Sequence, residues 1–310
     1  MNNFTGFTDL CIPEARADVL EPIIREAIEL GYRNLAIEQI IDVTTDANAA
    51  SKQDVVPKPY CLKNLKASFG GQIRFFNRLT VIFSDASVSL VLNKSNNIRC
   101  YNLIAALPTT LGGLQYACQT MVCDIITHNS STNPLRLARK YYYLAVERDI
   151  AFELKYAPTI VDSSERKATI GRAHRYHSVG KSKNVIISSE AKNPFQLRSP
   201  YDLANLGLIF GLSEEQSKES IRGIPNKILL SAESRRFGKA GVIIARRTKS
   251  AEDSDDYSDS ELEQDISDDD ENEDEGTFED ADMDDGNGTD EENDEKEQPP
   301  KKMSKHEKIK

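Results

Sequence analysis

The stretch F-T-D-L-C-I-P-E-A-R-A-D-V-L-E-P-I-I-R-E-A-I-E-L-G-Y-R-N-L-A-I, from Phe7 to Ile37, decides the fold of this 310-residue chain. Phe7 to Ile12 reads as a strand. Val19, Leu20, Ile23, Ile24, Ala27 and Ile28 then recur at helical spacing, with Asp18 as a cap and Gly31 as a stop. Pro22 fits only near the start of that helix, because a proline further in removes a hydrogen bond and clashes with the preceding turn. Leu35 to Ile37 supplies the second strand. The unit is therefore strand, helix, strand, the pattern of a parallel sheet covered by helices.

Working outward, strands are expected at Leu79 to Phe83, Leu103 to Leu107, Asp124 to Thr127, Ala151 to Tyr156 and Asn184 to Ser188, which makes seven. Helical stretches lie between most of them, at Leu114 to Met121, Pro134 to Arg148 and Lys167 to Val179. A further pair follows at Tyr201 to Phe210 and Ser213 to Ile221. So many βα units predict an α/β fold, a TIM-barrel-like (β/α) barrel. An open doubly wound sheet is the alternative, but the G-x-G-x-x-G turn of a dinucleotide site does not follow the first strand. Residues 44 to 72, with Pro57, Pro59 and Gly70-Gly71, read as a long insertion loop after the second strand.

The net charge of −11 conceals a split. Residues 1 to 250 carry 33 Lys and Arg against 23 Asp and Glu, a net of +10; residues 251 to 310 carry 6 against 27, a net of −21. The first part is expected to be one folded domain. The second has too little apolar surface to offset the entropy of ordering and is expected to be a disordered acidic tail with a basic C-terminus. A basic domain gains affinity for polyanions by releasing condensed counterions, whereas an acidic tail repels RNA and attracts basic proteins. There is no run of eighteen apolar residues and no signal-peptide pattern, so no membrane association is expected. Five cysteines without a C-x-x-C pair indicate neither a disulfide framework nor a zinc site.

In a barrel enzyme the catalytic groups sit at the C-terminal ends of the strands, here Asp9, Glu38, Ser84, Asp85, Thr109, His128, Ser188, Ser189 and Glu190. Metal-assisted hydrolysis needs three or four converging ligands, yet the chain has four histidines and one of them, His128, follows a strand. A metal-dependent phosphoesterase built on Asp9, Glu38 and His128 is the alternative reading. Polar residues solvating a barrel mouth explain the same pattern, and no catalytic residue, metal ligand or cofactor is assigned. His174 and His177 lack the H-E-x-x-H spacing and read as surface or RNA-contacting.

The basic residues are more informative. Arg166, Lys167, Arg172, Arg175, Lys181 and Lys183 fall in a stretch without Asp or Glu and form a candidate phosphate-binding strip. Arg235, Arg236, Lys239, Arg246, Arg247 and Lys249 make a second group, and Arg78 and Arg198 join the candidate RNA-binding set. An ordinary solvated helix face is the bland alternative for each. Tyr141 to Tyr143 offer rings that stack bases, although a buried helix face explains them equally.

Four segments together resemble one family: N-R-L-T-V-I-F-S-D (Asn77 to Asp85), A-F-E-L-K-Y-A-P-T-I (Ala151 to Ile160), N-V-I-I-S-S (Asn184 to Ser189) and S-P-Y-D-L-A-N-L-G-L-I-F-G-L-S (Ser199 to Ser213). The chain resembles the thirty-kilodalton protein subunit of nuclear ribonuclease P, shared with ribonuclease MRP and related to an archaeal subunit. The likeness spans about residues 4 to 245. It implies a TIM-barrel-like protein without the metal ligands of hydrolases of the same shape, which partners a small ferredoxin-like protein subunit and other holoenzyme proteins. These brace ribonuclease P RNA, whose own metal ions cut the 5′ leader from precursor tRNA, so that precursor tRNA is met indirectly; the MRP RNA form processes precursor rRNA. A nuclear and nucleolar location follows from the same resemblance. Arg78, Ser199, Tyr201, Asp202 and Asn205 carry over as motif positions, with an internal salt bridge the other reading of Arg78.

Overall fold

The computed structural model describes residues 4–44, 54–128 and 135–237. The acidic tail, Lys239, Arg246, Arg247 and Lys249 lie outside the described residues. Seven parallel strands are hydrogen-bonded in sequence order: β1 (Phe7–Pro13), β2 (Tyr32–Asp42), β3 (Arg74–Phe83), β4 (Leu103–Pro108), β5 (Ile125–Ile126), β6 (Ala151–Lys155) and β7 (Val185–Ser188). The sheet curls into a nearly closed barrel. Across the remaining seam the Glu190 amide donates to the Cys11 carbonyl at 2.8 Å, and the Ser189 amide donates to Asp9 Oδ1 at 3.1 Å.

Helices cover the outside: α1 (Ala17–Glu29), α2 (Lys63–Phe69), α3 (Val88–Lys94), α4 (Leu111–Gln119), α5 (Arg139–Glu147), α6 (Ala157–Val161), α7 (Ser163–Gly180), α8 (Pro200–Ile209) and α9 (Glu214–Ile221). Side chains alternate across each strand. Ile37, Leu79, Val81, Ile104, Ile126, Phe152, Leu154 and Ile187 join the core that the strands share with these helices. Leu10, Ala36, Leu103, Ala105, Ile125, Ala151 and Ile186 belong instead to a second, inner cluster. A last helix, α10 (Gly223–Phe237), brings Ile228, Leu229 and Ala232 against that inner cluster and so plugs the N-terminal end of the barrel. Arg235, near its end, forms a salt bridge with Asp124 just before β5.

All seven expected strands form, and the differences lie at their ends and in the insertion. β2 runs on to Asp42, and β3 begins at Arg74 rather than Leu79, because the barrel interior accepts the polar side chain of Arg78 while Asn77, on the opposite face, donates to the Tyr60 carbonyl at 3.1 Å. Asp18 is not the cap of α1: Arg16 holds that position without a side-chain bond, and Asp18 lies in the first turn, where a negative charge suits the helix dipole. Pro22 lies in the second turn of α1. Gly31 ends the unit at φ +93°, a conformation that favours glycine. The stretch read as an insertion loop is partly structured: α2 buries Leu65 and Phe69, Val56 is buried, and Asp54 accepts from Ser95 Oγ at 2.9 Å.

Candidate functional site

The strands' inward positions bring four buried charges together inside the barrel: Glu38 from β2, Arg78 from β3, and Glu153 and Lys155 from β6. The Arg78 guanidinium grips Glu153 with two bonds, Nη1 to Oε1 at 2.5 Å and Nη2 to Oε2 at 2.7 Å. Its Nη2 lies 3.1 Å from Glu38 Oε1, its Nη1 also donates to the Leu10 carbonyl at 2.9 Å, and its Nε donates to Thr80 Oγ1 at 3.1 Å. Thr80 Oγ1 in turn donates to Glu38 Oε1 at 2.6 Å, and Cys11 Sγ donates to Glu38 Oε2 at 3.2 Å. Thr127 Oγ1 donates to Glu153 Oε2. Lys155 Nζ reaches Glu190 Oε1 at 3.2 Å and Glu38 Oε1 at 3.9 Å.

Burial by itself raises a carboxyl's pKa, but here the cations win. Glu153 is held down at about 2: burial opposes its charge, and Arg78, Lys155 and the hydrogen bonds outweigh that penalty. Glu38 is likewise lowered, against burial, by Lys155 and Arg78. Two carboxylates and two cations thus neutralise one another, and the carboxylate oxygens are spent on guanidinium, ammonium, hydroxyl and thiol donors. A metal ion entering here has to displace Arg78 or Lys155.

This arrangement decides against the phosphoesterase reading. Of its three residues, Glu38 is committed to Arg78 and Thr80. Asp9 is buried, its Oδ1 accepting from the amides of Cys11 and Ser189, each at 3.1 Å. Burial raises its carboxyl to about 6, partly offset by the bonds from Ser189. His128 is held well below its usual range by burial and by Arg172 and Lys155. Among the described residues no three His, Cys, Asp or Glu converge as a metal site. Ser84 and Asp85 bond within their own turn, Ser84 Oγ donating to Asp85 at 3.1 Å, and Thr109 Oγ1 reaches across to the Phe83 carbonyl at the end of β3 at 3.1 Å.

Arg78 therefore leaves the candidate RNA-contacting set. It is fully buried, and the internal salt bridge is the correct reading of it. The α7 strip remains on the surface. Arg166 is exposed, although its Nε donates to the Thr159 carbonyl at 2.8 Å at the end of α6. Lys167, Lys181 and Lys183 are exposed, Lys183 above the Tyr143 ring at 5.6 Å. Arg172 and Arg175, three apart on α7 and so on one face, are half-buried. Arg175 donates to the Leu135 carbonyl at 3.1 Å, whereas Arg172 Nη1 is buried without a partner. His174 and His177 are exposed on the same helix. Arg198 donates to the Phe195 and Leu197 carbonyls of its own turn, at 2.8 and 2.7 Å.

In the second basic group Arg235 is corrected: its charge is paired with Asp124, and its Nη2 donates to the Asn102 carbonyl at 3.1 Å. Arg236 is exposed. The tyrosine run divides, for Tyr142 is buried and stacked on Phe152 at 4.4 Å, whereas Tyr141 and Tyr143 are half-buried. Of the motif positions, Ser199 caps α8 by accepting from the Asp202 amide at 3.2 Å, and Tyr201, Asp202 and Asn205 are exposed on that helix. Sequence reading missed Glu153 as the partner of Arg78 and Lys155 as a second buried cation beside Glu38 and Glu190. The signal was there: two charges of opposite sign, two residues apart in the otherwise apolar run A-F-E-L-K-Y, must share one face of a buried strand.

This chain is similar in sequence to several ribonuclease P subunits. It is 32% identical over 254 residues to ribonuclease P protein subunit p30 of Mus musculus, covering 80% of this chain and 94% of the mouse protein. A probable ribonuclease P protein subunit 3 of Schizosaccharomyces pombe is 27% identical over 67% of this chain and 83% of its own length. A ribonuclease P/MRP protein subunit of Saccharomyces cerevisiae is 23% identical over 56% and 58% of the two chains. In fold, the chain is similar to a chain of archaeal ribonuclease P solved with mature tRNA, with a TM-score of 0.56 and 17% identity over 78% of this chain and all of the archaeal one. The sequence profile described as RNase P subunit p30 matches residues 6–237, the whole barrel with its closing helix, and the chain belongs to that family.

Proposed function

We propose that this chain is a protein subunit of the ribonuclease P ribonucleoprotein, bracing the RNA that removes the 5′ leader from precursor tRNA and performing no chemistry itself. One observation carries the reading: at the place where a barrel hydrolase holds its reacting groups, Arg78 and Lys155 neutralise Glu38 and Glu153 in a fully buried network. Membership of a family of ribonuclease P subunits supplies the assembly. A nuclear location accords with the eukaryotic relatives.

The finer reading has the chain also in the MRP ribonucleoprotein, acting on precursor rRNA in the nucleolus, and docked on a small ferredoxin-like protein subunit. The name of the S. cerevisiae relative supports the first part. RNA contact is assigned to the surface strip of Arg166, Lys167, Arg172, Arg175, Lys181 and Lys183, with Arg198, Arg236, Arg246 and Arg247 as further contacts. The strip's support is its charge and the exposure of Arg166, Lys167, Lys181 and Lys183.

The test is to purify the tagged chain from its native cells, sequence the co-purifying RNA, and assay precursor-tRNA cleavage before and after nuclease treatment. Enrichment of one or two structured RNAs, with cleavage abolished by nuclease, is the expected result. Cleavage that survives complete loss of RNA returns the active site to protein and overturns the reading.

A further inference from the structure

At the N-terminal end of the barrel wall a cleft of about 760 Å³ lies between α3, the short 3-10 turn Asn97–Cys100, α4 and α10. We propose that this cleft binds one unpaired nucleotide of an RNA strand, its phosphates held by Arg99 and Arg236 and its base lodged against Tyr116, Met121 and Val122. The proposal deepens the ribonucleoprotein reading and rests on it. The cleft is distinct from the α7 strip and from the charged barrel interior.

Three observations support this ligand. The first is charge. Arg99, Arg235 and Arg236 line the cleft and no carboxylate does. Arg235 is already balanced by Asp124, but Arg99 and Arg236 are exposed and have no hydrogen bond or ion pair among the described residues. Two uncommitted guanidinium groups present the planar fork that suits phosphate oxygens.

The second observation is the apolar wall. Val122 is 64% exposed and lines the cleft beside the buried Met121. Beside it, Tyr116 is half-buried, braced edge-on by Phe83 at 6.4 Å. An aromatic ring with apolar neighbours favours a flat heterocycle, and Asn93 and Thr120 on the same lining offer donors and acceptors for a base edge.

The third observation is size. The volume falls in the roughly 300–1,000 Å³ range of sites that enclose a small ligand. A base leaves its stack to enter such a site, so the strand must be unpaired there.

The test uses the purified full chain and a fluorescent single-stranded RNA of about twelve mixed-sequence nucleotides, with a duplex of equal length and an oligoglutamate peptide as competitors. For single strands, log affinity falls with log salt by about 0.7 per phosphate contact, so Arg99→Glu with Arg236→Glu should flatten the slope by about 1.4. Both residues are exposed, and an unchanged thermal transition verifies the fold. In the wild-type holoenzyme, photocrosslinking through 4-thiouridine should label the peptide containing Tyr116, and Tyr116→Ala should remove that label. An unchanged slope, absence of the label, or oligoglutamate displacing the RNA more readily than the duplex does each overturn the cleft proposal while co-purifying RNA leaves the subunit reading standing. Loss of any co-purifying RNA overturns both.

Discussion

Arg78 is the residue on which the barrel interior depends. Its five donors face two carboxylates, a backbone carbonyl and a hydroxyl, all in a fully buried setting. Removing one partner of such a network leaves uncompensated buried charge, which costs about 3–5 kcal/mol. Arg78→Met should lower unfolding free energy by that amount in urea titrations, and a loss under about 1 kcal/mol would contradict this account. Asp9 behaves oppositely to Glu153. Its carboxyl titrates at about 6 when folded and 3.8 otherwise. Well below pH 3.8 both states are protonated. As pH rises through this window the unfolded chain ionises first, so about 3 kcal/mol of stability is lost and does not return. Glu153 contributes stability above its ordinary value of 4.5 and loses it as pH falls towards 2. Asp9→Asn should therefore remove the decline between pH 4 and 6 in the midpoint-against-pH curve and leave the acid limb in place. Arg78 was ambiguous in the sequence, because its partner Glu153 is 75 positions away and no local pattern links them. The exposed Arg166 and Lys167 of α7, with Lys181 and Lys183 just after it, were legible, since the run from Arg166 to Lys183 holds no acidic residue. Arg235 was not, because its partner Asp124 is brought to it by the closing of the barrel.

At the scale of elements, the strand-helix rhythm was legible because alternation and 3.6-residue periodicity are local properties. α10 was not, for its apolar residues make sense only against a barrel end that the sequence does not display. α2 was hidden for a similar reason: prolines and glycines around it read as loop, and its two buried residues matter only in packing. The contact between α8 and α9 depends on a small residue. A Cβ at Gly207 would meet Ser217 Oγ at 2.3 Å, and Ser217 is itself buried. Gly207→Ala should force the two helices apart and destabilise by about 1–3 kcal/mol, despite alanine's higher helix propensity. Chemical denaturation of this variant, beside Ser217→Gly combined with it, checks the origin of the loss: the second change should recover most of it.

For the whole molecule the governing quantity is the division of charge, +10 on one part of the sequence and −21 on the other. Reversing Arg172, Arg175 and Lys181 together should flatten the salt dependence of RNA association by about one unit for each lost duplex phosphate contact, as read from filter binding at several salt concentrations. An unchanged slope would remove α7 from the interface. Deleting residues 251 to 310 should raise affinity for unrelated polyanions, measured with heparin, because 27 acidic residues go with them and 6 basic ones. The position of α10 carries a different consequence, for synthesis. Chains emerge from the ribosome N-terminus first, at about 5–20 residues per second. Until Gly223–Phe237 has emerged, Leu10, Leu103, Ile125 and Ile186 have no cover at the open end of the barrel. A nascent chain that stops before Gly223 has all seven strands and yet presents its inner apolar cluster to chaperones and proteases, so its loss from the cell precedes any question of assembly.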